Sequence, residues 1–349
     1  MTTATNTQTV NSNDFIDNSG AHVIKLSKFI DLHLHLDGAI SVDSVKELAR
    51  LQGVEIPENE DELLKLMRFD PATMGLTDFF DKFAFPCSLL QTEETISTAV
   101  YNLCRELQEQ GIIYAEIRFA PSKSCDKGLT QDQVIEAAIN GMQKSGLPAN
   151  IIVCCMRGFD YEINAQTVMA AKKYLGKGVC ALDLAGPETL FPTKLYEDIL
   201  TLAHENGIPL TIHAGEADGA ESVWNALKFG AVRIDHGVRS VEDPLLVEYL
   251  AKNKIPLTIC PTSNIHTCIF KATPEIPIRT FLNAGVIITI NTDDPSIEGT
   301  DLKTEWEKVI KAFNLTPDEV KTIMLNSVTA SFASNNLKAD LRKQMEENY

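Results

Sequence analysis

The chain repeats a short apolar run followed by a segment with helical periodicity, and this order constrains the fold more than any other feature. Eight such runs begin near residues 23, 111, 150, 178, 208, 231, 255 and 285, from VIKLSKFIDLHL to GVIITIN. A repeated strand-then-helix order implies parallel strands joined by crossover helices. Several runs are apolar on both faces, as are strands between a filled barrel interior and a ring of helices. The repeat therefore predicts an α/β fold, a (β/α)8 TIM barrel that forms one domain over residues 21–349.

Three segments lie outside this repeat. The interval 41–110, between the first and second strands, is too long for one crossover and predicts extra helices over one barrel mouth. The segments after the eighth strand have helical periodicity and predict C-terminal helices. Residues 1–20 are rich in Thr, Asn and Ser and lack apolar periodicity, so we expect a flexible N-terminal tail.

Charge and composition exclude several classes of partner. The 31 basic and 48 acidic side chains give a net charge of −17, which repels phosphate backbones and anionic lipids. No apolar stretch is long enough to span a membrane, and no basic region followed by an apolar one resembles a secretory leader. The eight cysteines are scattered, without disulfide or zinc-finger spacing. We expect a cytoplasmic protein with no nucleic-acid or membrane partner; its oligomeric state stays open.

Histidines and aspartates end several of the predicted strands. His33 and His35 stand two apart on the first strand, whose period of two points both to one face. The ends of the fifth, sixth and eighth strands carry His213, His236, Asp293 and Asp294. Any one of these histidines could be a hydrogen-bonded core residue, but in a TIM barrel all these strand ends meet at the mouth that carries the active site. Three imidazoles and a carboxylate suit zinc or another borderline divalent ion, which would activate a water for hydrolysis.

Seven motifs in order resemble the adenosine deaminases of the amidohydrolase superfamily: IDLHLHLDGAI, CCMR, LDLAGPE, TIHAGEADG, DHGV, PTSN and NTDDP. The similarity runs from about residue 28 to about residue 335. It implies a hydrolase that converts adenosine, and 2'-deoxyadenosine, to inosine and ammonia by attack of zinc hydroxide at purine C6. It also implies one zinc ion per chain, with His33, His35, His213 and Asp293 as ligands and His35 also beside the substrate.

The same resemblance implies roles for three catalytic residues. Glu216 would protonate purine N1, for which burial and nearby carboxylates should raise its pKa. His236 would orient the zinc-bound water and stabilise charge in the tetrahedral adduct. Asp294 would donate to purine N7, which requires a protonated carboxyl. Without the resemblance, Glu216 reads as a solvated loop residue and Asp294 as a turn carboxylate before Pro295.

Further residues match the family motifs with weaker implications. Gly186 would offer its backbone N–H to purine N3, although a simple turn glycine is an equal reading. Asp37 would accept a ribose hydroxyl, or else cap the following helix. Arg157 matches the pattern without an assignable chemical role. An aromatic helical face could line the pocket, but core packing is the default reading for its members, Phe79, Phe80 and Phe83.

Other functions remain as alternatives. Adenine, a methylthio-adenosine, an N6-methyl-AMP or an aminodeoxyfutalosine could replace adenosine; the acidic balance argues against a phosphorylated substrate, and Asp37 favours one that has a sugar. A non-catalytic nucleoside-binding relative is a second alternative. An amidase or phosphotriester hydrolase would use two metals bridged by a Lys near the fourth strand, where this chain has ALDLAGPE. The cytidine-deaminase signature of zinc-binding cysteines is absent.

Overall fold

A sheet of eight parallel strands forms the centre of the fold. The computed structural model describes residues 14–16 and 23–347, except 72–78 and 80. We number the strands β1 and β2 for a short antiparallel hairpin, Asp14–Ile16 and Val23–Lys25, and β3 to β10 for the central sheet. The sheet strands, each paired with the next in chain order, are Phe29–His35, Ile112–Phe119, Ala149–Met156, Val179–Ala185, Leu210–Ala214, Ala231–His236, Leu257–Ile259 and Ile288–Ile290.

Helices follow the strands and cover the sheet. Among the described residues between β3 and β4 are the helices Val42–Gln52, Glu60–Met67, Ala84–Leu89 and Glu93–Glu109. The later crossovers contain Gln131–Ser145, Tyr161–Tyr174, Glu197–Glu205, Ala220–Lys228, Pro244–Asn253, Pro261–His266 and Ile278–Ala284. After β10 come Pro295–Glu298, Leu302–Phe313, Pro317–Ala330 and Asn335–Glu346. Short 3-10 turns lie at Pro121–Ser124, Thr193–Tyr196, Val238–Glu242 and Thr273–Glu275.

Local sequence explains where the crossover helices begin. Thr92 caps Glu93–Glu109 in a reciprocal capping box with Thr95, and Thr130 does the same for Gln131–Ser145 with Gln133. Asp243 caps Pro244–Asn253, whose first residue is a proline that needs no N–H partner. Their buried faces join one apolar cluster that runs from Leu26 to Met345 and includes all eight sheet strands. The eight sheet strands and these helices therefore share one main core.

The barrel closes through main-chain bonds at the end of the last strand. Leu34 in β3 forms a parallel bridge to Asp293, just beyond β10. The His35 N–H donates to the Asp293 carbonyl at 2.8 Å, and the Asp293 N–H donates to the His33 carbonyl at 2.9 Å. Three residues predicted from the sequence as metal ligands thus lie on the seam that joins the first and last strands.

Charged side chains fill part of the barrel interior below the mouth. Arg118 donates from Nη1 to Asp235 Oδ2 at 2.6 Å and to Asp183 Oδ2 at 3.1 Å. Arg233 donates to Glu116 Oε2 at 2.6 Å. All five side chains are buried, so each charge is balanced by a partner within the barrel. This ionic layer supports the polar groups at the mouth.

The TIM barrel, its inserted helices and its C-terminal helices confirm the fold predicted from the sequence. One difference is that the run predicted as the first strand divides into β2 and β3, separated by three residues. The predicted tail lies mostly outside the described residues; within it, Asp14–Ile16 pairs with Val23–Lys25, and the tail itself stays a prediction. Within the described ranges, no helix is both long and apolar enough for a membrane span.

Candidate metal centre and active site

Four side chains from three strand ends converge at the mouth of the barrel. His33 Nε2 lies 3.1 Å from His213 Nε2 and 3.2 Å from Asp293 Oδ1. His35 Nε2 lies 3.3 Å from each of the same two atoms. Ligands about 2.0–2.1 Å from a zinc ion lie roughly 3.3 Å apart in a tetrahedron. Four of the six distances match this value, and all four atoms lie within 4.8 Å of one another, so they can bind one metal ion together.

Hydrogen bonds on the far side of the rings fix two of the imidazole tautomers. Thr258 donates its hydroxyl proton to Asp235 at 2.8 Å, so its oxygen accepts from His33 Nδ1 at 2.9 Å. The Asp183 carboxylate, which can only accept, lies 2.8 Å from His213 Nδ1. Each ring then carries its proton on Nδ1 and directs the Nε2 lone pair into the cluster. Lone pairs that face one another in this way call for a cation.

Burial keeps His33 and His35 in the neutral form, whereas at His213 the Asp183 carboxylate outweighs burial and raises the pKa. Burial and the nearby Arg118 guanidinium lower the pKa of His33 well below its usual value, and burial does the same for His35. Neutral imidazoles are the form that binds a metal ion. Both rings are therefore available as ligands at neutral pH.

His236 stands beside this cluster on a strained backbone. Its φ is +60° and that of Asp293 is +66°, values that few residues other than glycine adopt. The Nε2 atom of His236 lies 3.5 Å from Asp293 Oδ2 and 3.9 Å from Glu216 Oε2. The Nδ1 atom of the same ring lies 3.1 Å from the Asn264 amide nitrogen. Strain of this kind is retained where the surrounding structure fixes a functional side chain. The ring thus faces both the metal cluster and Glu216.

Glu216 lies beside His236, in the loop after β7. Its side chain is 18% exposed. Burial raises the pKa of this carboxyl, and the neighbouring charges of Asp293 and Glu188 act in the same direction against the opposing effect of His236. A raised pKa favours the protonated form of a carboxyl. The carboxyl can therefore act as a proton donor at this place.

Asp294 and Asp37 lie close to each other at the mouth. Burial and the carboxylates of Asp293 and Asp37 raise the pKa of Asp294 well above its usual value. One oxygen of each carboxyl, Asp294 Oδ1 and Asp37 Oδ1, is buried without a hydrogen-bond partner. A β-carbon at Gly38 would lie 1.8 Å from Asp294 Oδ1, so glycine is required there for Asp294 to enter the site. Two unpartnered oxygens at the mouth are available to a polar ligand.

Comparisons with known proteins agree with this geometry. Residues 29–348 match the family model described as adenosine deaminase. The adenosine deaminase of Haemophilus ducreyi is 40% identical over 330 residues, which cover 92% of this chain and 96% of the relative. The chain belongs to the adenosine deaminase family. The family resemblance read from the seven motifs is thereby confirmed.

Solved structures of this family's fold superpose over nearly the whole chain. The adenine deaminase of Arthrobacter aurescens matches with a TM-score of 0.81 and 26% identity, over 92% of this chain and 98% of that one. An amidohydrolase from Burkholderia ambifaria, solved with bound zinc, matches with a TM-score of 0.82 and 22% identity, over 92% and 90% of the two chains. The similarity at 22% identity concerns the fold alone.

Two functional residues of this family member lie in the quoted motifs without a role predicted from the sequence. Asp183 of LDLAGPE orients His213, and Asp235 of RIDHG orients Thr258 and through it His33. Asp183 stands three positions before Gly186, and Asp235 stands directly before His236. A carboxylate within an otherwise apolar strand could have indicated a buried polar partner.

Arg157 and Gly186 form a second set of contacts at the mouth. The Arg157 guanidinium donates to the His213 carbonyl at 2.7 Å and to the Phe191 carbonyl at 2.7 Å, so it ties the end of β7 to the loop after β6. Gly186 has a φ of +107°, a conformation that requires glycine. Arg157, to which the sequence assigned no chemical role, therefore supports the structure of the mouth.

The aromatic face predicted from the sequence belongs partly to the core. Phe79 is buried in a small cluster with Phe69 and Ile297, and Phe83 packs against that cluster. Phe80 lies outside the described residues. Core packing, the default reading, holds for Phe79. The inserted helices nevertheless reach the mouth, because Cys87 on Ala84–Leu89 donates its thiol hydrogen to Asp37 Oδ2 at 3.3 Å.

Proposed function

We propose that this protein is a zinc-dependent adenosine deaminase that hydrolyses adenosine, and 2'-deoxyadenosine, to inosine and ammonia. The observation that carries the proposal is a cluster of four side chains that could bind one metal ion, with the Glu216 carboxyl, whose pKa burial raises, beside it. The 40% identity to the Haemophilus ducreyi adenosine deaminase over nearly the whole chain supports adenosine as the substrate. Hydrolytic removal of an amino group from the purine ring uses both features.

The proposed ligands of one zinc ion are His33, His35, His213 and Asp293. Three imidazoles and one carboxylate within 4.8 Å of one another suit zinc, and the Burkholderia amidohydrolase that shares this fold was solved with zinc. A divalent ion in such a site lowers the pKa of a bound water from 15.7 toward about 7. The family's chemistry at purine C6 requires such a nucleophile.

The chain's own groups then handle the purine. Glu216 donates a proton to purine N1, which makes C6 more electrophilic, and its raised pKa keeps that proton available. His236, held between Asp293 and Glu216, orients the attacking water and stabilises the charge that develops at C6. The amino nitrogen of the substrate leaves as ammonia.

Binding groups surround the reacting carbon. Asp294 in its protonated form donates to purine N7, and the Gly186 N–H donates to N3. Asp37, whose Oδ1 is unpartnered at the mouth, accepts from a ribose hydroxyl. His35, with 13% of its side chain exposed, is the ligand that also borders the substrate. Asp37 is the feature that favours a nucleoside over free adenine.

The eight free cysteines support a cytoplasmic location.

The decisive test combines metal analysis with a substrate panel. We expect about one zinc per chain and a fall in ultraviolet absorbance, with matching ammonia release, when adenosine is supplied. Adenine, 2'-deoxyadenosine and N6-methyl-AMP serve as comparison substrates in the same assay. Turnover of adenine without turnover of adenosine would assign a base deaminase instead. Two tightly held metal ions, or full activity with none, would contradict the proposed ligand set.

A further inference from the structure

Glu188, a residue without a role in the proposed chemistry, lies beneath the loop that carries Glu216. The loop, residues 215–218, follows β7 and has neither helical nor strand structure. The Glu188 side chain is 3% exposed and projects from the segment after β6. Its carboxylate accepts four consecutive main-chain N–H bonds: from Gly215 at 2.8 Å, Glu216 at 3.1 Å, Ala217 at 2.9 Å and Asp218 at 2.9 Å.

These bonds fix the main chain on both sides of Glu216. Oε1 accepts from Gly215, and also from the Ser222 hydroxyl at 2.5 Å, while Oε2 accepts the other three N–H bonds. Hydrogen bonds to an ionised carboxylate are roughly twice as strong as those between neutral groups. Gly215 has a φ of +67°, and a β-carbon there would lie 2.5 Å from Val223, so the loop leaves β7 along a constrained path. One carboxylate therefore binds all four N–H groups of this loop, while Arg239 donates to the Gly215 carbonyl at 2.9 Å and to the Ala217 carbonyl at 2.6 Å.

The Glu216 side chain depends on this course for its position. Its carboxyl lies 3.9 Å from His236 Nε2, beyond hydrogen-bond distance. A proton donor must lie within about 3.2 Å of the atom that it protonates. The placement of the Glu216 main chain thus decides whether its carboxyl can reach purine N1.

We propose that Glu188 is a positioning residue for catalysis, whose carboxylate binds the N–H groups of residues 215–218 and so places Glu216 at the purine ring. The inference rests on the proposed function, because it assumes that Glu216 is the proton donor. Gly186, two residues before Glu188, is the proposed partner of purine N3. A single segment after β6 would then both contact the base and place the acid that protonates it.

Glu188→Gln is the direct test, because it keeps the shape of the side chain and replaces one acceptor oxygen by an N–H₂ group that cannot accept. We expect kcat to fall about 100-fold, the loss typical of a displacement of about 1 Å, with KM changed much less and zinc content unchanged. Hydrogen exchange at the amides of 215–218 should become faster. Glu106→Gln is the matched control; this carboxylate holds Ser41 and Ser44 far from the loop and should leave kcat and that exchange unchanged.

A double-mutant cycle shows whether Glu188 acts through Glu216. Glu188→Gln should cause little further loss of kcat in a Glu216→Gln background, since the group that it positions is already inactive. Additive losses would overturn the proposal, as would wild-type kcat or unchanged exchange in Glu188→Gln. Near-normal turnover of Glu216→Gln alone would instead contradict the proposed function.

A milder variant covers the case in which Glu188→Gln does not fold. Ser222→Ala removes the hydroxyl that fixes Oε1, and so loosens the carboxylate to which the four N–H groups bind. We expect a loss of about threefold in kcat, faster exchange at the same amides, and no added loss in the Glu216→Gln background. Wild-type kcat with unchanged exchange in this variant would overturn the proposal.

Discussion

The proposed metal side of the barrel mouth, His33, His35, His213 and Asp293, and the proposed purine side, which carries Glu216, are held in place by different means. His33, His35 and His213 stand on β3 and β7, and the main-chain bonds of Asp293 to β3 make it part of the same sheet. Glu216 lies beyond the end of its strand, in a loop held by the Glu188 carboxylate. The sheet itself places the first group, whereas single side chains place the second. Groups on strands are positioned more rigidly than groups on loops.

This difference predicts separate failures for the two sides. Loss of a strand-borne ligand should remove the metal ion and with it all chemistry. Loss of a loop contact should leave the metal in place and change only what happens to the purine. The largest effects are therefore expected from the metal side.

His213→Ala should have the largest effect of all. It removes one of four ligands, so zinc affinity should collapse and turnover should fall by about four orders of magnitude or more. Metal analysis after dialysis and a steady-state assay measure both effects. His204→Ala, on the exposed outer helix Glu197–Glu205, is the matched control and should behave as the wild type. A His213→Ala variant that keeps one tightly bound zinc ion would remove His213 from the ligand set.

The same contrast explains how much of the site the sequence predicts. His33 and His35 are recognisable because a strand has a period of two, and a TIM barrel collects its strand ends at one mouth. Those two rules bring His213, His236 and Asp293 to one place without any knowledge of the loops. The family resemblance then separates ligands from the groups that act on the purine.

The contacts of the loops are not predictable in this way. Glu188 stands 27 to 30 residues before the amides that it binds, and no periodic pattern links the two. Arg157 likewise reaches the His213 carbonyl from another strand end, 56 residues away in sequence. Such contacts depend on the path that each loop takes after its strand, which is decided by tertiary packing. The sequence shows the residues but not their partners.

The pH dependence of the reaction should also distinguish the metal side from the purine side. Burial raises the pKa of Glu216, and the proton on that carboxyl is required, so kcat/KM should fall about tenfold per pH unit above this pKa. At acid pH, the pKa values of His33 and His35, lowered by burial, should keep both rings neutral, whereas His213, whose pKa the Asp183 carboxylate raises against burial, should protonate first and weaken metal binding. A pH profile with metal content measured at each point tests both expectations.

Glu216→Gln provides the control for this assignment. The residual activity of this variant should lack the alkaline limb, because the titrating group is gone, while its zinc content stays at the wild-type value. An alkaline limb that persists unchanged in Glu216→Gln would assign it to another group.

The smallest expected effect concerns the support of the metal side itself. Thr258→Val keeps the volume of the side chain but removes the oxygen that accepts from His33 Nδ1 and the proton that it donates to Asp235. We expect about a tenfold loss of zinc affinity, the low end for partners of metal ligands, and normal kcat when zinc is saturating. Zinc release to a chromogenic chelator measures the affinity, with the exposed Thr322→Val as the matched control. If Thr258→Val binds zinc as tightly as the wild type, the strands alone hold His33 in place and the contrast between sheet and loop is sharper than the hydrogen bonds indicate.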